Sequence, residues 1–257
     1  MNQQAPCQTA RMVYVVITRD IDGGAAYAAA LVPLGLDAVM MPVTQTAPPS
    51  DPGELVRAME SGGYQAIVCA SARAAGAIIR SKGHTPIPEV WAVGPATARV
   101  LADAHLSPIL PETARDGASL ARALLTQRDL AGKRVLMPRA EDGREDGIAI
   151  LRDAGVIVDD IVAYRTIPVA ADDPRIARGR ELLAAGQAAV CCVFAPSQVA
   201  ALDALVSIRA ITTQFAAIGD TTADALRELG VSIVAVATTP TPEGIANAVA
   251  AVYPPRP

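Results

Sequence analysis

Aromatic side chains make up only 3% of this 257-residue chain, with one tryptophan and two phenylalanines. Elements must therefore pack through Ala, Val, Leu and Ile, thin side chains that suit close α/β layers. Histidine is scarcer still: with only His84 and His105, a zinc site is not expected. The four cysteines, Cys7, Cys69, Cys191 and Cys192, make no C-x-x-C pair, and two sit in apolar strand-like runs. That usage fits a reducing compartment rather than a disulfide framework. No apolar run approaches the ~20 residues that span a bilayer; the longest strand-like stretch is AAVCCVFA from Ala188. The opening MNQQAPCQTA has neither a basic start nor an apolar stretch, so no signal peptide and a cytoplasmic location are expected. Basic blocks are missing too, and the net charge is -4. Without a basic face interleaved with aromatics, general affinity for nucleic acid is not expected. A small anionic ligand is still allowed, because backbone N–H groups at helix starts hold carboxylates or phosphates whatever the global charge.

What the chain does have is alternation. VYVVIT at 13–18 is β-rich and is followed by an alanine-rich helix over 24–34 that stops at Gly35. DAVMMPV (37–43) reads as a strand, then a helix over 53–61, QAIVCA (65–70), a helix over 72–80, VWAVG (90–94) and a helix over 95–103. A short SPIL strand (107–110) and a helix over 117–127 complete that series. From Lys133 the pattern starts again with RVLMPR, a helix, GVIVDDIVAY, a helix over 174–185, AAVCCVFA, a helix, FAAIG, a helix, VSIVAVA and a helix over 243–251. Strands and helices in strict turn predict parallel sheets covered by helices on both faces.

The restart is a repeat. Arg19 and Arg139 are 120 residues apart, as are Gly35 and Gly155; Ser71 and Ala195 are 124 apart. Gly94 and Gly219 stand 125 apart, as do Thr97 and Thr222, and Gly117 and Gly244 stand 127 apart. Landmarks in one order with so little drift predict two similar α/β domains. The phrase G-x-x-T-A recurs because one strand-to-helix turn is built once per domain. In it the glycine permits a tight turn and the Thr falls where backbone N–H groups lack partners, so the turn can hold an anion. Thr97 and Thr222 can equally serve only to cap or pack their helices. The turns at CASARAAG and FAPSQVAAL leave strands toward the same edge, where open parallel sheets collect ligands. G-x-G-x-x-G, the P-loop and G-x-S-x-G are all missing, so dinucleotide, P-loop and serine-hydrolase readings fail.

Taken in order, VVITRD, VCASARAAG, AVGPATA, RVLMPRAEDGRE, IVAYRT, FAPSQVAAL and AIGDTTADALRELG resemble the uroporphyrinogen-III synthase family over nearly the whole chain. The resemblance implies two flavodoxin-like domains joined by a two-stranded connector, with the ligand cleft between them. The first domain is discontinuous, residues 1–41 plus 167–257, and the second covers 42–166. It implies closure of linear hydroxymethylbilane to uroporphyrinogen III, with loss of water and inversion of ring D, and requires no cofactor or metal. Tyr164 matches the family tyrosine that assists departure of the hydroxyl; its alternative is a structural residue at the end of a strand. Ser71, Ala72, Gly94, Thr97, Ala195, Ser197, Gln198, Gly219 and Thr222 match the turns that line the substrate, a molecule with eight carboxylates. Arg19 and Arg139 can meet carboxylates or form structural ion pairs. Ala195 departs from the family's frequent serine, and Arg73 from a frequent asparagine. The expected partners are this small molecule and, transiently, the preceding pathway enzyme, with no nucleic acid, no membrane and a monomeric chain. A noncatalytic binding or regulatory module of the same fold is the alternative.

Overall fold

A parallel strand buried on both faces is apolar at consecutive positions, and the runs around Val15, Val68 and Val190 have that character. The structure, a computed structural model, describes residues 13–231 and 235–253. In its first half the elements are β1 (Tyr14–Ile17), α1 (Ile21–Leu31), β2 (Asp37–Met40), β3 (Thr44–Ala47), α2 (Glu54–Ser61), β4 (Tyr64–Cys69), α3 (Ala72–Ser81), β5 (Glu89–Ala92), α4 (Gly94–Asp103) and α5 (Gly117–Gln127). The second half continues with β6 (Arg134–Ala140), α6 (Asp146–Asp153), β7 (Ile157–Pro168), α7 (Pro174–Ala184), β8 (Ala188–Val193), α8 (Pro196–Val206), β9 (Gln214–Ala217), α9 (Asp220–Glu228), β10 (Ala235–Val236) and α10 (Pro242–Val252).

The chain divides into two compact units, Met1–Gln45 with Pro168–Pro257, and Thr46–Ile167. The first unit carries a sheet of order β10-β9-β8-β1-β2, with all of these neighbours parallel. Alternation along β1 sends Val16 into a core with Ile176, Leu202 and Leu226, and Val15 and Ile17 into another with Leu31, Ile245 and Val249. Helices α7, α8 and α9 thus cover one face, and α1 and α10 the other. The second sheet has the order β3-β7-β6-β4-β5, and its β7-β6, β6-β4 and β4-β5 neighbours are parallel. Ile67 and Leu136 face Ile78 and Leu101, whereas Val68, Trp91 and Val135 face Leu124 and Leu151.

Helix starts are encoded locally. Asp20, Ser71, Asp116, Asp173 and Thr241 each accept a backbone N–H of the first turn through their side chains, satisfying a donor with no partner inside the helix. Asp20 also explains why α1 starts at Ile21, ahead of the predicted residue 24. The SPIL segment is not a strand: Ile109 makes a single bridge to Trp91, because Pro108 and Pro111 on either side of it have no N–H for a ladder. The strand predicted over 37–43 stops at Met40, before Pro42. VSIVAVA is represented by Ala235–Val236, since residues 232–234, like Cys7, lie outside the described residues. Among the described residues no helix is long and apolar enough to cross a membrane.

The repeats are exchanged between the sheets. From β2 the first sheet runs β2-β1-β8-β9-β10, and from β7 the second runs β7-β6-β4-β5 with the Ile109 bridge beyond. By the 120- to 127-residue spacing, β1 and β2 correspond to β6 and β7, and β4 and β5 to β8 and β9. Each sheet therefore joins the opening strands of one repeat to the closing strands of the other.

Candidate active site

In the second sheet β4 leads through α3 outward to β5, and β6 leads through α6 outward to β7. The winding direction reverses between β4 and β6, which is where doubly wound sheets open a crevice at their carboxyl ends. A cavity of about 300 Å³ lies there, lined by Ser71, Arg115, Met137, Arg139, Arg144 and Tyr164 among others. Tyr164 also borders a second cavity of about 440 Å³, with Pro48, Leu55 and Arg80 in its wall.

Tyr164 is placed by an irregularity. Arg139 pairs with Val162 but Ala140 with Tyr164, so one extra residue is accommodated in β7. Such a bulge breaks the alternation of side chains and re-aims the next one, and Ala163 and Tyr164, consecutive in sequence, accordingly pack in the same core. Tyr164 is only 8% exposed. Its hydroxyl lies 3.2 Å from Ser71 Oγ, which also accepts the Ala74 N–H at 3.1 Å as the cap of α3. Ala72 is half-buried in the first turn of that helix, and Arg73 is exposed.

Arg139 is not available for substrate in this arrangement. Its Nε and Nη2 donate to the two Asp160 carboxylate oxygens at 2.6 and 3.0 Å, Nη2 also to Glu145 at 2.9 Å, and Nη1 to the carbonyls of Ala140 and Glu141. With the side chain 15% exposed, the structural ion pair is the role the geometry gives it. The Asp160 hydrogen bond, opposed by burial, raises the guanidinium pKa further above its usual range.

The corresponding turn of the first unit is built differently. The Arg19 guanidinium stacks 5.2 Å from the Tyr27 ring centre and 5.1 Å from that of Phe194. Thr18, fully buried, has its hydroxyl within reach of the Cys192 carbonyl at 3.0 Å and Gln198 Oε1 at 2.8 Å. Gln198 Oε1 also accepts the Phe194 N–H at 2.9 Å, so the oxygen of this amide is spent within the protein. Ala195 has the extended cap conformation of Ser71 (φ -161, ψ 152) but gives α8 no side-chain cap, and Ser197 is exposed in the first turn.

The two G-x-x-T-A turns also differ. Thr97 and Thr222 are 4% and 1% exposed, and neither α4 nor α9 has a side-chain cap. Of the alternatives, packing rather than capping matches this placement. Gly94 has φ +73, whereas Gly219 is extended at φ 178. Arg115 and Arg144 in the cavity wall are residues that the sequence reading misses. A signal for Arg115 is nonetheless there: it precedes Asp116-x-x-Ser119, a capping pair at the start of a helix on the ligand-collecting edge.

Residues 25–247 match the profile of the family described as Uroporphyrinogen-III synthase HemD. The fold is similar to that of the uroporphyrinogen-III synthetase of Helicobacter pylori 26695, with 16% identity, a TM-score of 0.62, and coverage of 92% of this chain and 97% of that one. It is also similar to a mutant uroporphyrinogen III synthase of the extremely thermophilic bacterium Thermus thermophilus, with 23% identity, a TM-score of 0.55, and coverage of 91% and 96%. No curated protein matches the chain significantly. The structural likenesses carry the α/β fold; the profile, spanning most of the sequence, establishes that this chain belongs to the uroporphyrinogen-III synthase family, enzymes of heme biosynthesis.

Proposed function

We propose that the chain closes hydroxymethylbilane into uroporphyrinogen III, with loss of water and inversion of ring D, and that Tyr164 gives the departing hydroxyl its proton. The observation that carries this reading is the hydroxyl of Tyr164, held 3.2 Å from Ser71 Oγ at a cavity on the carboxyl edge. A phenol donates a proton while staying neutral near pH 7, and such assistance contributes typically ~10²- to 10⁴-fold. The remaining acceleration comes from holding the chain so that ring D closes by its hindered carbon, through a spiro intermediate, with water kept out. Dehydration and ring closure are redox-neutral, so no cofactor enters the proposal. Backbone and side-chain donors of the turns at Ser71, Gly94, Ala195 and Gly219 receive the substrate's carboxylates. The proposal carries the arrangement the resemblance implies: domains of residues 1–41 plus 167–257 and 42–166, joined by a two-stranded connector. The chain acts as a monomer and meets the enzyme that supplies its substrate only transiently.

A coupled assay tests it. Hydroxymethylbilane is supplied, and the type I and type III isomers of the product are resolved. Formation of type III in proportion to added protein is expected. Product binding without any type III above the spontaneous background would leave a noncatalytic binding module.

A further inference from the structure

Three arginines line the cavity between β4 and β6, and their guanidinium groups are committed very differently. A carboxylate is best met by two parallel N–H donors along one edge of the guanidinium fork. Arg139 spends its Nε–Nη2 edge on Asp160. Arg144 spends the same edge on Asp146, with Asp116 a further 3.9 Å contact of Nη1. Arg115 does not: Nη1 donates to the carbonyls of Glu112 at 2.5 Å and Ala114 at 3.4 Å, and Nε and Nη2 have no partner among the described residues. No carboxylate neutralises it there.

Its backbone is pinned. The Arg115 N–H donates to Ser119 Oγ at 2.8 Å, and Ser119 and Asp116 close a reciprocal cap on α5. The neighbouring turn is held against this one by a close backbone approach. A Cβ on Gly147 would stand 2.7 Å from the Gly117 carbonyl oxygen, so only glycine lets α5 and α6 start side by side. An exposed cation anchored by a rigid main chain loses less freedom when it binds than one on a loose loop.

We propose that Arg115 is the carboxylate anchor of this cavity, receiving an acidic side arm of the tetrapyrrole, and that it sets affinity here in place of Arg139. This assignment rests on the reading of the site given above. It separates two roles, since Tyr164 acts on the leaving hydroxyl and Arg115 on a part of the substrate that does not react. Loss of a binding contact made equally before and during reaction raises KM and leaves kcat.

The test compares wild type, Arg115→Gln and Arg115→Lys by KM and kcat for hydroxymethylbilane, by Kd for uroporphyrinogen III at low and high salt, and by thermal melting. Arg115→Gln is expected to raise KM and Kd by ~10- to 100-fold, the range for a hydrogen bond to a charged group, with kcat little changed and a flatter salt dependence. Arg115→Lys keeps the charge but loses the fork, and an intermediate Kd is expected. Wild-type KM and Kd in a folded Arg115→Gln protein overturn the proposal. If that variant melts early, the lysine variant decides: a weaker Kd supports the anchor and a wild-type Kd overturns it. Failure of the wild-type chain to make the type III isomer is a different result, and it overturns the reading of the reaction.

Discussion

Replacing Gly94 and Gly219 by alanine should move stability in opposite directions, although the two glycines occupy the same place in a repeated phrase. Either substitution removes the same backbone freedom from the unfolded chain, which favours the fold by about 0.4–1 kcal/mol where the native conformation tolerates a Cβ. Gly219 is extended, at φ 178 and ψ 177, a conformation any residue adopts. Gly94 is left-handed at φ +73, which costs an L-residue roughly 1–2 kcal/mol. An added Cβ would meet nothing within 4 Å at either position, so packing does not enter the comparison. Gly219→Ala should therefore stabilise the first unit by about 0.4–1 kcal/mol. Gly94→Ala should destabilise the second by up to ~1.6 kcal/mol, the left-handed cost less that gain. Trp91, the single tryptophan and fully buried in the second unit, reports urea unfolding there by fluorescence. Amide exchange in β9 reports the first unit. Two alanine variants that shift their units in the same direction would refute the reasoning.

Tyr164→Phe keeps the ring in its core and removes one donor, so melting should hold while turnover falls by ~10- to 10³-fold; full activity would make Tyr164 a structural residue. Ala195→Ser restores a hydroxyl at a cap with the backbone conformation of Ser71, and a stability gain of about 1 kcal/mol is expected in urea unfolding; no gain would mean that the two cap sites are not equivalent. Burial works to raise the Asp159 carboxyl, but the Tyr64 hydroxyl and the Arg134 guanidinium outweigh it and hold the pKa below the ordinary 3.8. The stabilisation is present above that value and is lost as pH falls through the lower folded pKa. Asp159→Asn should flatten the acid limb of a stability profile, and an unaltered limb would assign it to other carboxylates.

Much of the fold is legible in the sequence because its causes are local. Consecutive apolar residues such as Val15–Val16–Ile17 announce a strand with helices on both sides, and Asp20, Ser71 and Asp116 mark helix starts through bonds spanning three residues. The family's order of motifs is likewise written in the chain, and with it the tyrosine and the turns to examine. Tertiary structure decided which strands share a sheet. β1 pairs with β8, far along the chain, rather than with the later strands of its own repeat, because sheet edges are chosen by burial summed over many distant side chains, which no local spacing records. The same holds at the site. Nothing in RVLMPRAEDGRE reveals that Arg139 is consumed by Asp160 across the β6–β7 pair. Nor does it reveal that an extra residue in β7 turns Tyr164 toward Ser71, or that Arg115, in the wall of the same cavity, bonds only through Nη1. Those outcomes depend on register and on which carboxylate lies within reach, and both are fixed only when the strands have met.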